Sequence, residues 1–95
     1  MRIVFMGTPD YSVRTLEALI SAGHNIVGVF VQPDKPVGRK QILTPPPVKV
    51  FAQNHGIPVF QPVTLRDGTA LETLRTLAPE VIVVVAYGKI LPKEI

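Results

Sequence analysis

The chain has 95 residues, of which 46% are hydrophobic and 18% charged, with no cysteine and a formal net charge of +3. That composition describes one globular domain or most of one, and it excludes a disordered chain, a disulfide framework and a thiolate metal site. The mild positive balance permits a polyanionic partner without requiring one, the lack of cysteine fits an intracellular protein, and no run approaches the ~20 apolar residues of a membrane helix.

The elements alternate strand and helix from the start. Ile3-Val4-Phe5-Met6 reads as a short buried strand, and Met1-Arg2 ahead of it gives no secretory leader. Gly7-Thr8-Pro9-Asp10 is the turn into a helix, with Thr8 or Asp10 able to cap it and Pro9 suited to its first turn. From Tyr11 to Ala22, Val13, Leu16, Leu19 and Ile20 recur at helical spacing on one face, and Gly23 stands where a left-handed cap belongs. Ile26 to Val31 is a second buried strand, whose Gly28 lets a helix or a neighbouring strand approach closely.

The composition then shifts. Residues 32–47 hold Pro33, Pro36, Gly38, Pro45, Pro46 and Pro47 together with Lys35, Arg39 and Lys40, so they form a basic Pro/Gly loop and neither a helix nor a central strand. Its length exceeds the ~12 to 15 residues beyond which a connection is usually functional or disordered. Val48 to His55 reads as a helix contributing Phe51 and Ala52 to the core and stopped by Gly56, and Val59-Phe60 as a brief third strand. A third helix covers Thr69 to Ala78 with Leu71, Leu74, Leu77 and Ala78 on one face, and Pro79 ends it.

The fourth strand organises the rest. Val81 to Ala86 is apolar and mostly β-branched throughout, the pattern of a strand buried on both faces, and Tyr87-Gly88 marks its exit. Strands of this kind separated by helices predict an α/β, Rossmann-like parallel sheet with right-handed crossovers, helices on both faces and the strand order 3-2-1-4. In that order Gly7 to Asp10 and Tyr87 to Leu91 face each other across one crevice at the carboxyl ends of the strands, where ligands bind. Since the sequence stops at Ile95, soon after that turn, it reads as the amino-terminal portion of a larger domain.

Reactive constellations are scarce. A dinucleotide site needs a glycine fingerprint, whereas Gly7 is followed by Thr8-Pro9-Asp10, which removes an amide and adds a negative charge where phosphate should sit. Asp34 could imitate the acid that binds a ribose, but it and Asp10 read better as a turn residue and a cap. His24 and His55, each beside a helix-ending glycine, suit contacts with the last helical carbonyls better than catalysis. No nucleophile elbow, no zinc-protease pattern and no convincing close pair of acids is present.

Taken together, Arg2-Ile-Val-Phe-Met-Gly-Thr-Pro-Asp-Tyr-Ser12, Gln32-Pro-Asp-Lys-Pro-Val-Gly-Arg39, Thr44-Pro-Pro-Pro-Val-Lys49 and Val83-Val-Val-Ala-Tyr-Gly-Lys-Ile-Leu-Pro-Lys93 resemble, in order and across essentially the whole chain, the amino-terminal part of the methionyl-tRNA formyltransferase family. The resemblance implies a cytoplasmic, monomeric enzyme of translation initiation that moves a formyl group from 10-formyltetrahydrofolate to the amino group of methionyl initiator tRNA. It places the catalytic Asn, His and Asp beyond Ile95, together with a carboxyl-terminal tRNA-binding domain, so residues 1–95 alone carry no transfer activity. It assigns Tyr87, Gly88, Lys89, Ile90 and Leu91 to the wall of the folate pocket, and Lys35, Gly38, Arg39 and Lys40 to contact with the tRNA. Where that family usually continues after Gly-Arg with another glycine and two lysines, this chain has Lys40-Gln41-Ile42, a less basic and less flexible loop. Other readings stay open: a nucleotide-binding domain of an oxidoreductase or sugar-nucleotide enzyme, or a noncatalytic module that dimerises through the apolar edge at Val81 to Ala86.

Overall fold

Apolar side chains on both faces of a strand require a layer on each side, and the first strand sets that requirement. In the computed structural model, which describes residues 1–37, 40, 42–62, 65 and 68–88, β1 (Arg2–Gly7) is buried at every position after Arg2. It is followed by α1 (Asp10–Ser21), β2 (Asn25–Phe30), β3 (Lys35–Val37), β4 (Ile42–Thr44), α2 (Pro47–Asn54), β5 (Val59–Phe60), α3 (Thr69–Leu77) and β6 (Val81–Val85). β2 and β6 flank β1 in parallel and β5 adds to β2, giving the order β5-β2-β1-β6, which is the expected 3-2-1-4 when only the strands of this sheet are counted.

The two-residue period of β1 divides the core. Ile3 and Phe5 point into a cluster with Leu16 of α1 and Val48 and Ala52 of α2, while Val4 and Met6 point into a second cluster with Ala70 and Leu74 of α3. β2 follows the same alternation except at one point. The β1–β2 register slips between Ile3 and Val4, so Val27 is passed over and Val4 pairs with Gly28. Val27 packs on the α3 side, and a Cβ at Gly28 would also meet that side, 2.8 Å from Leu77 Cδ1 and 3.1 Å from Phe60 Cε2. The bulge puts two successive positions on one face, and glycine at the second lets α3 and β5 close over it.

Three expectations are corrected. β6 is not buried on both faces: Val81 and Val84 are 40% and 44% exposed, and among the described residues the strand pairs only with β1. A continuous β-branched run records what a strand is suited to bury, not what covers it. The basic loop is not structureless, since β3 and β4 pair antiparallel, Lys35 with Thr44 and Val37 with Ile42, as a hairpin separate from the main sheet. Finally, neither Thr8 nor Asp10 caps α1. Pro9 is its N-cap residue without a side-chain cap bond, and Asp10 is the first helical residue, where its charge still favours the helix dipole.

The far end of the sheet has its own fastening. The Arg2 guanidinium donates to the carbonyls of Leu77 and Ala78, the latter at 3.3 Å, so a cation satisfies the end of α3 just before β6 begins. No helix of the described residues is long and apolar enough to cross a membrane.

Candidate functional site

At the carboxyl ends of the parallel strands, short polar side chains tie the chain together. Gly7 pairs with Val85 in the last rung between β1 and β6, and the chain then diverges at Thr8 and at Ala86. The Thr8 hydroxyl donates to the Tyr87 carbonyl at 2.8 Å and accepts from the Gln32 amide at 3.4 Å, the latter a long contact. One hydroxyl thus bridges the exits of three strands, β1, β2 and β6. One turn into α1, the buried Ser12 donates its hydroxyl to the Val85 carbonyl at 2.8 Å.

The exit of β6 turns sharply. Ala86 has φ 52° and Gly88 has φ 94°, both left-handed, and a Cβ on Gly88 would stand 2.6 Å from Gln32 Nε2. Glycine is favoured there by conformation, while the Gln32 side-chain amide, the far end of a flexible side chain, could give way. Gly7 to Asp10 and Tyr87-Gly88 do face one another, as expected, through the Thr8–Tyr87 bond.

The side chain and the backbone of Tyr87 lie in different places. Its side chain is 2% exposed and packs with Val4, Met6, Phe30, Leu65, Ala70 and Leu74, while its backbone carbonyl lies at the crevice. The phenolic oxygen is buried and has no hydrogen-bond partner among the described residues. Loss of hydration pushes the phenol up to about 12 from an ordinary 10.0. Because the folded pKa is the higher one, the contribution to stability is fully present below the ordinary value and is lost as pH rises from there through about 12. Tyr87→Phe is accordingly expected to stabilise the fold by about 1 kcal/mol, the cost of an unpartnered buried hydroxyl. It should also abolish that alkaline loss, as read from denaturant midpoints against pH. A destabilised Phe variant would mean that the hydroxyl has a partner in the full-length protein. Of the remaining positions assigned to the folate wall, Gly88 is exposed, and Lys89, Ile90 and Leu91 lie outside the described residues.

Beside this crevice, the roots of the hairpin converge on a second cleft of about 210 Å³, lined by Thr8, Pro9, Gln32, Pro33, Thr44 and Pro45 to Pro47. Of the residues assigned to tRNA, Lys35 begins β3 and Lys40 is exposed in the turn between β3 and β4, while Gly38 and Arg39 lie outside the described residues. Asp34, expected to be a turn residue, is bound on both carboxylate oxygens by Lys49 Nζ, at 3.0 and 3.2 Å, and accepts from Gln61 Nε2 at 2.6 Å. The Gln61 amide and the Lys49 ammonium hold its carboxyl below the usual aspartate range. A carboxylate engaged in this way is not free for a ribose, which removes the main support for a dinucleotide site. The network was missed from sequence because its members lie on different elements. His55 does contact a helical carbonyl as expected, with Nδ1 2.9 Å from Phe51 O.

An open parallel sheet with its crevice between the first and last strands defines a Rossmann-like α/β domain. The family model described as "Formyl transferase" matches residues 1–95. The chain belongs to the formyl transferase family. It is similar, at 59% identity over all its residues, to a methionyl-tRNA formyltransferase of Chloroflexus aurantiacus, and at 62% and 54% to proteins of the same name from Nitratiruptor sp. and Bacillus cytotoxicus. It spans 31%, 32% and 30% of their respective lengths.

Proposed function

We propose that this chain is the amino-terminal part of an enzyme that transfers a formyl group from 10-formyltetrahydrofolate to the amino group of methionyl initiator tRNA. The observation that carries this reading is the identity of 54–62%, over the full chain, to relatives that bear the methionyl-tRNA formyltransferase name. In that reaction the amine nitrogen bonds to the formyl carbon, the bond from that carbon to the folate N10 breaks, and the amine proton passes ultimately to N10. Charge builds on the formyl oxygen meanwhile, so an Asn donor and a His and Asp pair suit the task. Those residues belong to polypeptide beyond Ile95, and the present residues bind and position.

A flat, polar-edged ring is the ligand this reading assigns to the crevice. Tyr87 and Gly88 present backbone groups rather than charges, the left-handed Gly88 keeps the chain close to Gln32, and the buried Tyr87 ring anchors the turn from behind. Residues 87–91 form the folate wall in this reading, and Lys35, Gly38, Arg39 and Lys40 give the hairpin its phosphate contacts with the acceptor arm. The enzyme is cytoplasmic and monomeric.

In the full-length protein Arg39→Ala is expected to raise the KM for tRNA about 10- to 100-fold, because a charge-assisted contact contributes about 1.5–3 kcal/mol. Folate binding, measured by fluorescence titration, should stay as it is. Should folate affinity collapse while tRNA use is preserved, the hairpin has been given the wrong substrate.

A further inference from the structure

Among the described residues the hairpin β3–β4 pairs with no strand of the main sheet, and an isolated two-stranded hairpin is marginal in water. Something must hold its direction. Asp34 immediately precedes β3, and Lys49 lies in the first turn of α2, which follows β4 after Pro45 and Pro46. Their ion pair at 3.0 Å therefore closes the two roots of the hairpin against each other. Gln61, just past β5, donates from Nε2 both to Asp34 Oδ1 at 2.6 Å and to the Gln32 carbonyl at 3.1 Å, which secures the closed root to the sheet. Gln32 also donates its amide to Thr8, so the same few residues connect the root to the floor of the crevice.

We infer that Asp34, Lys49 and Gln61 form a clasp that fixes the pose of the basic hairpin beside the crevice, and are thereby positioning residues for tRNA. The inference rests on the reading of the hairpin as a tRNA-binding element. Lys49 does not act as a phosphate contact: its side chain is only 18% exposed, and its ammonium is engaged by both oxygens of Asp34. The prolines flanking the roots restrict the backbone, but they do not choose between directions, and the clasp does. A hairpin free to swing would meet tRNA in many poses, of which few deliver the amine to the formyl carbon.

The test uses the full-length protein with Lys49→Met, Lys49→Arg and Asp34→Asn. Lys49→Met and Asp34→Asn are each expected to lower kcat/KM for tRNA about 10- to 100-fold while the KM for folate is unchanged, and Lys49→Arg to restore most of the loss. The double variant Asp34→Asn/Lys49→Met should be little worse than either single one, because both remove the same contact. The slope of tRNA affinity against salt distinguishes the roles: a clasp leaves it unaltered, whereas removal of a phosphate contact lowers it by about one. Parental tRNA kinetics in Lys49→Met, or a reduced salt slope, overturns the inference. If Lys49→Met is too unstable to assay, Lys49→Arg and Asp34→Asn carry the same comparison. Should Arg39→Ala weaken tRNA use while these variants do not, the clasp alone is wrong. Should Arg39→Ala also have no effect, the hairpin reading fails with it.

Discussion

Gly7→Ala is expected to cost about 2–3 kcal/mol of stability, the upper part of the ~1–3 kcal/mol range for forcing an extra methyl group into a filled core. An added Cβ would stand 2.6 Å from Phe5 Cε2, 2.9 Å from the Val85 carbonyl oxygen and 3.0 Å from Ser12 Cβ. None of these can retreat cheaply. Phe5 is 0% exposed, and the Val85 carbonyl is a backbone group held by the Ser12 hydroxyl at 2.8 Å. Gly7 is not among the glycines with positive φ, so alanine could adopt its backbone conformation, and the penalty comes from space alone. Relief requires β6 to move away from β1, which also separates Thr8 from Tyr87. The measurement is a denaturant midpoint in the full-length protein, together with activity. A variant as stable as the parent would show that the β1–β6 spacing at the crevice is looser than these distances.

The fold was legible because its signals are local. The alternation of Ile3 and Phe5 against Val4 and Met6, the helical spacing of Leu16 and Leu74, and the stop at Gly56 each depend on neighbours a few residues away. The motifs around Gly7, Asp34, Pro45 and Tyr87 then located the crevice. What remained unread depends on partners far apart in sequence. Thr8 and Tyr87 are separated by 79 positions, Asp34 and Gln61 by 27, and Asp34 and Lys49 by 15, and no period links them. Thr8 resembled a helix cap and Asp34 a turn residue because those are the local uses of such side chains. The tertiary contact won in both cases. At Tyr87 the left-handed turn at Ala86 and Gly88 leaves the carbonyl at the crevice and sends the ring into the core, a division between backbone and side chain that no sequence pattern marks. The exposure of Val81 and Val84 has a different origin, since a sequence run cannot state which face will find a neighbour.

Thr8→Val should bring the second large loss, about 2 kcal/mol, although it preserves shape. Valine neither donates to the Tyr87 carbonyl nor accepts from the Gln32 amide, so a carbonyl and an amide are left without the partner that satisfied both. Both contacts are partly buried, which raises the cost of leaving them unmade. The loss is not confined to stability. With the strand exits unlinked, the Tyr87-Gly88 turn and the root of the hairpin at Gln32 become independent, and use of both substrates should decline, in contrast to Arg39→Ala, which affects tRNA alone. Thr8→Ser retains the hydroxyl and should recover most of the stability and activity. If Thr8→Val matches the parent in both, solvent replaces the hydroxyl, and the crevice is held by the Gly7–Val85 rung and the Ser12 bond rather than by Thr8.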